Sequence, residues 1–140
     1  MTNNQIQNLV ERIARLEEQK KEIAADVLLP YPPSVNRLWR VSKSRVHKSP
    51  QYQAWLISAG NSLNGQCRRS ISGEYNIHIL ACAPDRRKRD LGNIEKALSD
   101  LLVKHGVVDD DHLCQKQTIE WATNLPSGSV RILIERHGRD

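Results

Sequence analysis

The feature that most constrains this chain is a change of period. From Glu74 to Ala83 the sequence reads EYNIHILACA, with Tyr75, Ile77, Ile79 and Ala81 at alternate positions, as a half-buried strand requires. From Asp90 to Lys104 the apolar residues Leu91, Ile94, Leu98, Leu101 and Leu102 fall at helical spacing, and Gly106 supplies a natural stop. A strand that is apolar on one face and a helix that is apolar along one stripe bury those surfaces against each other. The chain is therefore committed to a helix packed on a sheet. Between the two runs, Arg86, Arg87, Lys88 and Arg89 stand in a row, which keeps the junction at the surface.

The remaining elements fit the same plan. Asp26-Val27-Leu28-Leu29 is a short strand ended by Pro30-Tyr31-Pro32-Pro33, because each proline disfavours helix in the residue before it. Ser49-Pro50 reads as an N-cap with proline at the first helical position, opening a helix to about Asn61. Strands near 117–122 and 130–135 flank Pro126-Ser127-Gly128-Ser129 and read as a terminal hairpin. The expected fold is α+β, a small mixed β-sheet with packed helices. At 140 residues there is room for one such domain, over 27–140, and one appendage.

The appendage is residues 1–26. Ile6, Leu9, Ile13, Leu16 and Ile23 recur at steps of three and four, interrupted at Lys20, and no Gly or Pro breaks the run. This predicts a coiled-coil-like helix of about six turns. Its narrow apolar seam suits either pairing with another helix, as in a dimer, or lying on the chain's own domain.

Charge is unevenly distributed. Residues 1–26 hold four basic side chains against five acids, a sum of −1, so with a formal total of +5 the other 114 residues carry +6. From Val27 to Gly73 there is no acid, while Arg37, Arg40, Lys43, Arg45, Lys48, Arg68 and Arg69 are all basic. Such a field draws in phosphates and speeds encounter with nucleic acid. Cys67, Cys82 and Cys114 form no CxxC, and an odd count leaves one unpaired in any disulfide scheme, which suits a reducing cytoplasm. The five histidines form no HxxxH or HxxH pair, so a zinc site has little support. No apolar run approaches membrane-spanning length, and MTNNQIQN lacks the order of a signal peptide. The expectation is a soluble cytoplasmic protein without membrane attachment.

Two acidic stations frame the second helix, Asp90 at its start and Asp109-Asp110-Asp111 beyond its end. The helix alone holds them roughly 25 Å apart, so they meet only if the chain doubles back through Val107 and Val108. A carboxylate beside a row of cations suits a site where a polyanion is held against a bound metal. The plainer alternatives are an N-cap for Asp90 and a solvated turn for the triad. Arg37, Arg40, Lys43, Arg45 and Lys48 make a second candidate DNA surface, with Trp39 and Tyr31 available to stack on unpaired bases.

These residues resemble a known family. Leu29-Pro30-Tyr31-Pro32-Pro33-Ser34-Val35-Asn36-Arg37 is similar to the LPxPPSxNR opening of RusA-type Holliday junction resolvases. Pro84-Asp85-Arg86-Arg87-Lys88-Arg89-Asp90-Leu91-Gly92-Asn93 resembles their PDRRRRDLDN segment, and the helix with Lys96 and Asp100 and the Gly106 to Asp110-Asp111 block match in order and spacing. The resemblance, over about Val27 to His137, implies a Mg²⁺-dependent homodimeric endonuclease. Such enzymes nick four-way DNA junctions during recombination or repair, often in phages and prophages. It assigns metal binding to Asp90 and Asp111 and catalysis to Lys96, with the adjacent Asp110 an auxiliary; on charge alone Arg86, Arg87, Lys88 and Arg89 suit contact with the DNA backbone, and Asn93 is placed to brace the site at that DNA surface. The resemblance departs at Gly92, where the family pattern has a third metal-binding aspartate. Hard Mg²⁺ prefers oxygen ligands in octahedral geometry, so losing that carboxylate implies impaired or absent cleavage with junction binding retained. The competing readings are a non-catalytic junction binder on the same fold and a helical-arm protein whose cations meet an acidic partner. The first 26 residues lie outside this match, and their helix resembles the leading helix of GapR-type nucleoid-associated proteins, which are helical DNA-binding oligomers.

Overall fold

The structure, a computed structural model, describes residues 2–34, 39–42, 45–67 and 69–138, with the side chains of 16–22 and Ser42 outside the description. Helix α1 spans Asn3–Glu22 and opens on a reciprocal cap in which Thr2 accepts from the Gln5 N–H and the Gln5 side chain accepts from the Thr2 N–H. Ile6, Leu9, Val10 and Ile13 all lie exposed along it. At Ile23 the backbone turns extended and β1, Ile23–Pro30, begins. The strand thus starts earlier than the apolar run suggested, with Ala25, Val27 and Leu29 facing the core.

The main sheet has four strands in the order β1-β6-β4-β5, where β4 is Tyr75–Cys82, β5 is Cys114–Trp121 and β6 is Ser129–Arg136. β6 runs antiparallel to both β1 and β4, while β4 and β5 are parallel, so the sheet is mixed as expected. The terminal hairpin is not formed, because β4 lies between β5 and β6. The physical reason is the crossover. A helix connecting β4 to β5 returns the chain to the starting end of the sheet and leaves the strands parallel, with no tight turn available. The segment Pro126-Ser127-Gly128 then carries the chain over the end of β4. There the Gly128 N–H bonds the Cys82 carbonyl (3.0 Å), and Gly128 takes the left-handed φ of 75° that a Cβ would oppose.

Helix α2, Pro50–Gln66, is capped as the sequence predicts, the Ser49 hydroxyl accepting from the Tyr52 N–H at 3.1 Å. It continues through Gly60-Asn61 instead of ending there. Gly60 is needed for close approach, since a Cβ there would lie 2.8 Å from His105 Nε2. After β4 a 3-10 turn, Leu91–Ile94, leads into α3, Glu95–Lys104. Leu98, Leu101 and Leu102 are fully buried, as are Ile77, Ile79, Ile132 and Ile134 from the sheet. The opposite sheet face is polar: Arg131 makes two bonds to Asp26 (2.9 and 2.6 Å), and His78 links Thr118 (2.7 Å) to Glu135 (3.2 Å).

One element was not expected. Trp39–Ser42 and Arg45–Lys48 pair as a separate antiparallel ribbon, β2 and β3, with Val41 opposite Val46. Among the described residues, no helix is long and apolar enough to cross a membrane.

Candidate active site

The cationic junction between β4 and the 3-10 turn is ordered by one acid. Asp85 accepts from the Arg87 N–H (3.0 Å) and from the Arg89 guanidinium (2.5 Å), which also reaches the Asp85 and Arg87 carbonyls. These bonds, with Arg89 first, hold the Asp85 carboxyl down at about 2. Arg89 is consequently pinned, and its guanidinium stands 5.8 Å from the centre of the Tyr31 ring. Arg86, Arg87 and Lys88 are exposed.

Because the Asp85 carboxyl is depressed in the folded chain, its contribution is fully present above the unfolded value of 3.8 and is lost as pH falls through about 2. We expect Asp85→Asn to be less stable than the parent at pH 6 and the two to converge near pH 2. Urea unfolding of both proteins across that window measures it, and a constant difference down to pH 2 would contradict the assignment.

The junction forms one wall of a groove of about 1120 Å³, opposite Tyr31, Pro32 and Pro33. The Trp55 indole N–H anchors that loop through the Pro30 carbonyl at 2.9 Å. Tyr31 lies parallel to Trp121, with ring centres 6.5 Å apart. Its hydroxyl is buried without a hydrogen-bond partner among the described residues. Asp90 and Asn93 line the same groove. Asp90 occupies the N-cap position of the 3-10 turn, but its side chain makes no capping bond, so capping does not account for its carboxylate.

Beyond α3 the chain does double back. Gly106 takes φ 69°, the Val107 N–H bonds the Leu102 carbonyl (3.0 Å), and the Ile71 N–H bonds the Val107 carbonyl (2.7 Å). This delivers a second 3-10 turn, Asp111–Leu113, against α3 at the start of β5. Asp110 caps that turn, accepting from the His112 N–H (3.2 Å) and pairing with the His112 ring (3.1 Å), and its carboxyl is held down at about 2. Asp109 faces the Gly73 N–H at 3.5 Å.

Lys96 pairs with Asp100 at 3.1 Å. That bond and charge, followed by the charges of Asp111 and Glu95, raise the pKa of a lysine that is cationic at neutral pH in any case. The charges of Asp111 and Glu95 are also felt at Tyr75, which burial pushes up to about 12, and at the Cys114 thiol, which burial raises. The fold therefore brings the Asp111–Leu113 turn against α3, close enough for the Asp111 charge to be felt at Lys96, while Asp90 and Asn93 line the groove. Glu95, which the sequence reading did not single out, is half-buried and fixed by the Ser99 hydroxyl at 2.6 Å.

No group of three His, Cys, Asp or Glu side chains poised to hold a metal ion exists among the described residues. The available donors, the exposed Asp90 and Asp111 carboxylates, have the chemistry that suits a hard divalent cation. Gly92 faces open space, since a Cβ there would meet nothing within 4 Å. The Asp90 and Asp111 carboxylates fit such a cation in kind, and they number two where the resemblance implies three.

Of the second candidate surface, Arg40 and Arg45 are exposed on the β2–β3 ribbon, whereas Arg37 and Lys43 lie outside the described residues. Trp39 is about half exposed and packs edge-on against Tyr52. Trp121 is the exposed aromatic that sequence reasoning missed. Its only signal was a tryptophan closing a strand in a chain with 4% aromatic residues.

A groove lined by Arg87, Lys88 and Arg89 with the Asp90 carboxylate beside them has the charge pattern that suits a phosphate-bearing ligand. The family model for endodeoxyribonuclease RusA matches residues 30–135, and the chain belongs to that family. The crossover junction endodeoxyribonuclease RusA of Escherichia coli (strain K12) is 37% identical over 86 residues, covering 61% of this chain and 72% of that protein. A relative of the same name from Escherichia coli O139:H28 is 36% identical over 113 residues, 80% of this chain and 94% of the relative. The corresponding protein of Enterobacteria phage HK97 is 32% identical over 109 residues, 76% of this chain and 90% of its own.

Proposed function

We propose that this chain is a structure-selective endodeoxyribonuclease of four-way DNA junctions, using Mg²⁺, whose cleavage is impaired by Gly92. The observation that carries the reading is a groove lined by Arg87, Lys88, Arg89 and an uncapped Asp90, with Arg86 exposed next to them in sequence, within a segment matched by the family. Arg86, Arg87 and Lys88 grip backbone phosphates, and the pinned Arg89 braces Tyr31 at the groove wall. Asn93 steadies the groove floor. Asp90 and Asp111 hold the cation, with Asp110 an auxiliary limited by its role as a turn cap. When bound, a divalent ion polarises the scissile phosphate and lowers the pKa of the attacking water. Lys96, cationic at neutral pH, offsets negative charge developing at that phosphate.

The remaining assignments belong to the same reading. The sequence boundary at 26/27 moves back to the start of β1, because Ile23, Ala25 and Asp26 pair with β6: residues 23–140 form the nuclease domain and α1, Asn3–Glu22, an arm for association. The protein works as a homodimer in the cytoplasm, on nucleoid DNA, and Arg37, Arg40, Lys43 and Arg45 extend the DNA surface. Gly92 favours a second reading for the chain as written, junction binding without cleavage.

Gel-shift competition decides between a junction protein and a general polyanion binder. We expect a four-way junction to compete at least about tenfold better than linear duplex of equal length, since branched DNA engages more of the cationic surface. Equal competition by duplex, or by an acidic polypeptide, would overturn the reading.

A further inference from the structure

The sheet has two edges, and they are finished differently. At β1 the Gln66 side chain reaches across from α2, accepting from the Leu28 N–H and donating to the Leu28 carbonyl, both at 2.7 Å. That contact occupies the backbone groups a foreign strand would need there. At β5, eight residues long, no side chain from another element reaches a backbone group among the described residues, the one side-chain bond to its backbone being Cys114 Sγ to the Lys116 carbonyl within the strand at 3.5 Å, and Gln115, Lys116, Gln117, Thr118, Glu120 and Trp121 are all exposed. Gln117 and Trp121 pair in register with Ile77 and Ala81 of β4. They share the face that is buried further in, yet stay exposed at this rim, Trp121 with only Tyr31 lying parallel to it among the described aromatic rings. An open edge of this length is a template for another strand unless something occupies it.

We infer that β5 pairs antiparallel with β5 of a second copy of this chain about a twofold axis at Thr118, continuing the sheet across a dimer. This rests on the proposal that the protein acts as a homodimer and names the surface that makes it. The argument for a second copy is self-complementarity. Antiparallel pairing centred on Thr118 sets Lys116 of each copy opposite Glu120 of the other, twice over, and Gln117 opposite Ile119. Neither Lys116 nor Glu120 makes an ion pair among the described residues, so both are available. A register one residue away loses both pairs and turns opposing side chains to different faces. Main-chain bonds supply the adhesion and the two ion pairs select the register.

The test is charge reversal in the full-length protein, with mass measured by light scattering during size-exclusion chromatography over a concentration series. Glu120→Lys is the cleaner single change, because Lys116 also feels Glu135 on its own sheet. Glu120→Lys and Lys116→Glu should each raise the dimer dissociation constant about tenfold or more. The double swap Lys116→Glu with Glu120→Lys should restore it to within about threefold of the parent, a rescue that general destabilisation does not give. Unchanged dissociation in the single variants, or no rescue in the double, overturns the interface. A dimer abolished by Ile13→Lys in α1 and indifferent to both reversals also overturns it in favour of the arm. A monomer that binds four-way junctions sinks this inference and spares the nuclease reading; a β5 dimer indifferent to junctions does the reverse.

Discussion

Gly92→Asp should raise Mg²⁺-dependent nicking of a four-way junction by about a hundredfold or more over the chain as written. A metal's stabilisation of developing charge is worth several kcal/mol, and each ~1.4 kcal/mol is tenfold in rate. The position tolerates the change: Gly92 lies in the Leu91–Ile94 turn without positive φ, and an added Cβ meets nothing within 4 Å. An acid in the first turn of a helix is also favoured by the dipole, so the variant should fold at least as well as the parent. An increase in cleavage would then reflect the site and not the amount of folded protein. Junction nicking assayed with and without Mg²⁺, alongside isothermal titration of the cation, measures both halves. Robust Mg²⁺-dependent cleavage by the Gly92 chain, matching the variant, would show that the missing carboxylate is not needed.

The second large effect concerns binding. Changing Arg86, Arg87 and Lys88 together to Ala should weaken junction affinity on the order of a hundredfold at low salt, and the slope of log K against log salt should fall by about 2 to 3. The three side chains are exposed, and the only ion pair they make among the described residues, Arg87 with Asp85 at 3.4 Å, is a surface contact that contributes little to stability. The fold should therefore be unchanged by circular dichroism. The loss should be similar for junction and duplex, because phosphate contacts carry position and not shape. Arg89 is different in kind. It is tied to Asp85 and covers Tyr31, so its removal would unsettle the groove wall as well as subtract a charge. A triple variant that binds as tightly as the parent with the same salt slope would place the DNA elsewhere, with the β2–β3 ribbon the next surface to test.

Sequence periodicity went far on β4 and α3. Tyr75, Ile77, Ile79 and Ala81 alternate and are all buried, and Leu98, Leu101 and Leu102 fall on one buried stripe. Ser49 capped α2 as its residue type requires. The site was legible at its two ends, the cation row with Asp90 and the Asp110-Asp111 block, because charge clusters beside Gly and Pro stay at the surface. The β2–β3 ribbon was not, since four-residue strands such as Arg45-Val46-His47-Lys48 carry too few alternations to register against a basic background.

The sequence by itself determined which residues are core and which are polar, because burial follows from side-chain chemistry repeated at a fixed period along one segment. Only the tertiary structure decided that β6 slots between β1 and β4, that Asp85 pins Arg89 against Tyr31, and that the Asp111–Leu113 turn comes back against α3. Those outcomes depend on which distant segments become neighbours. A turn such as Pro126-Ser127-Gly128 states that the chain reverses without stating beside which strand it lands, and that choice is settled by the handedness of the crossover and the packing of the whole sheet.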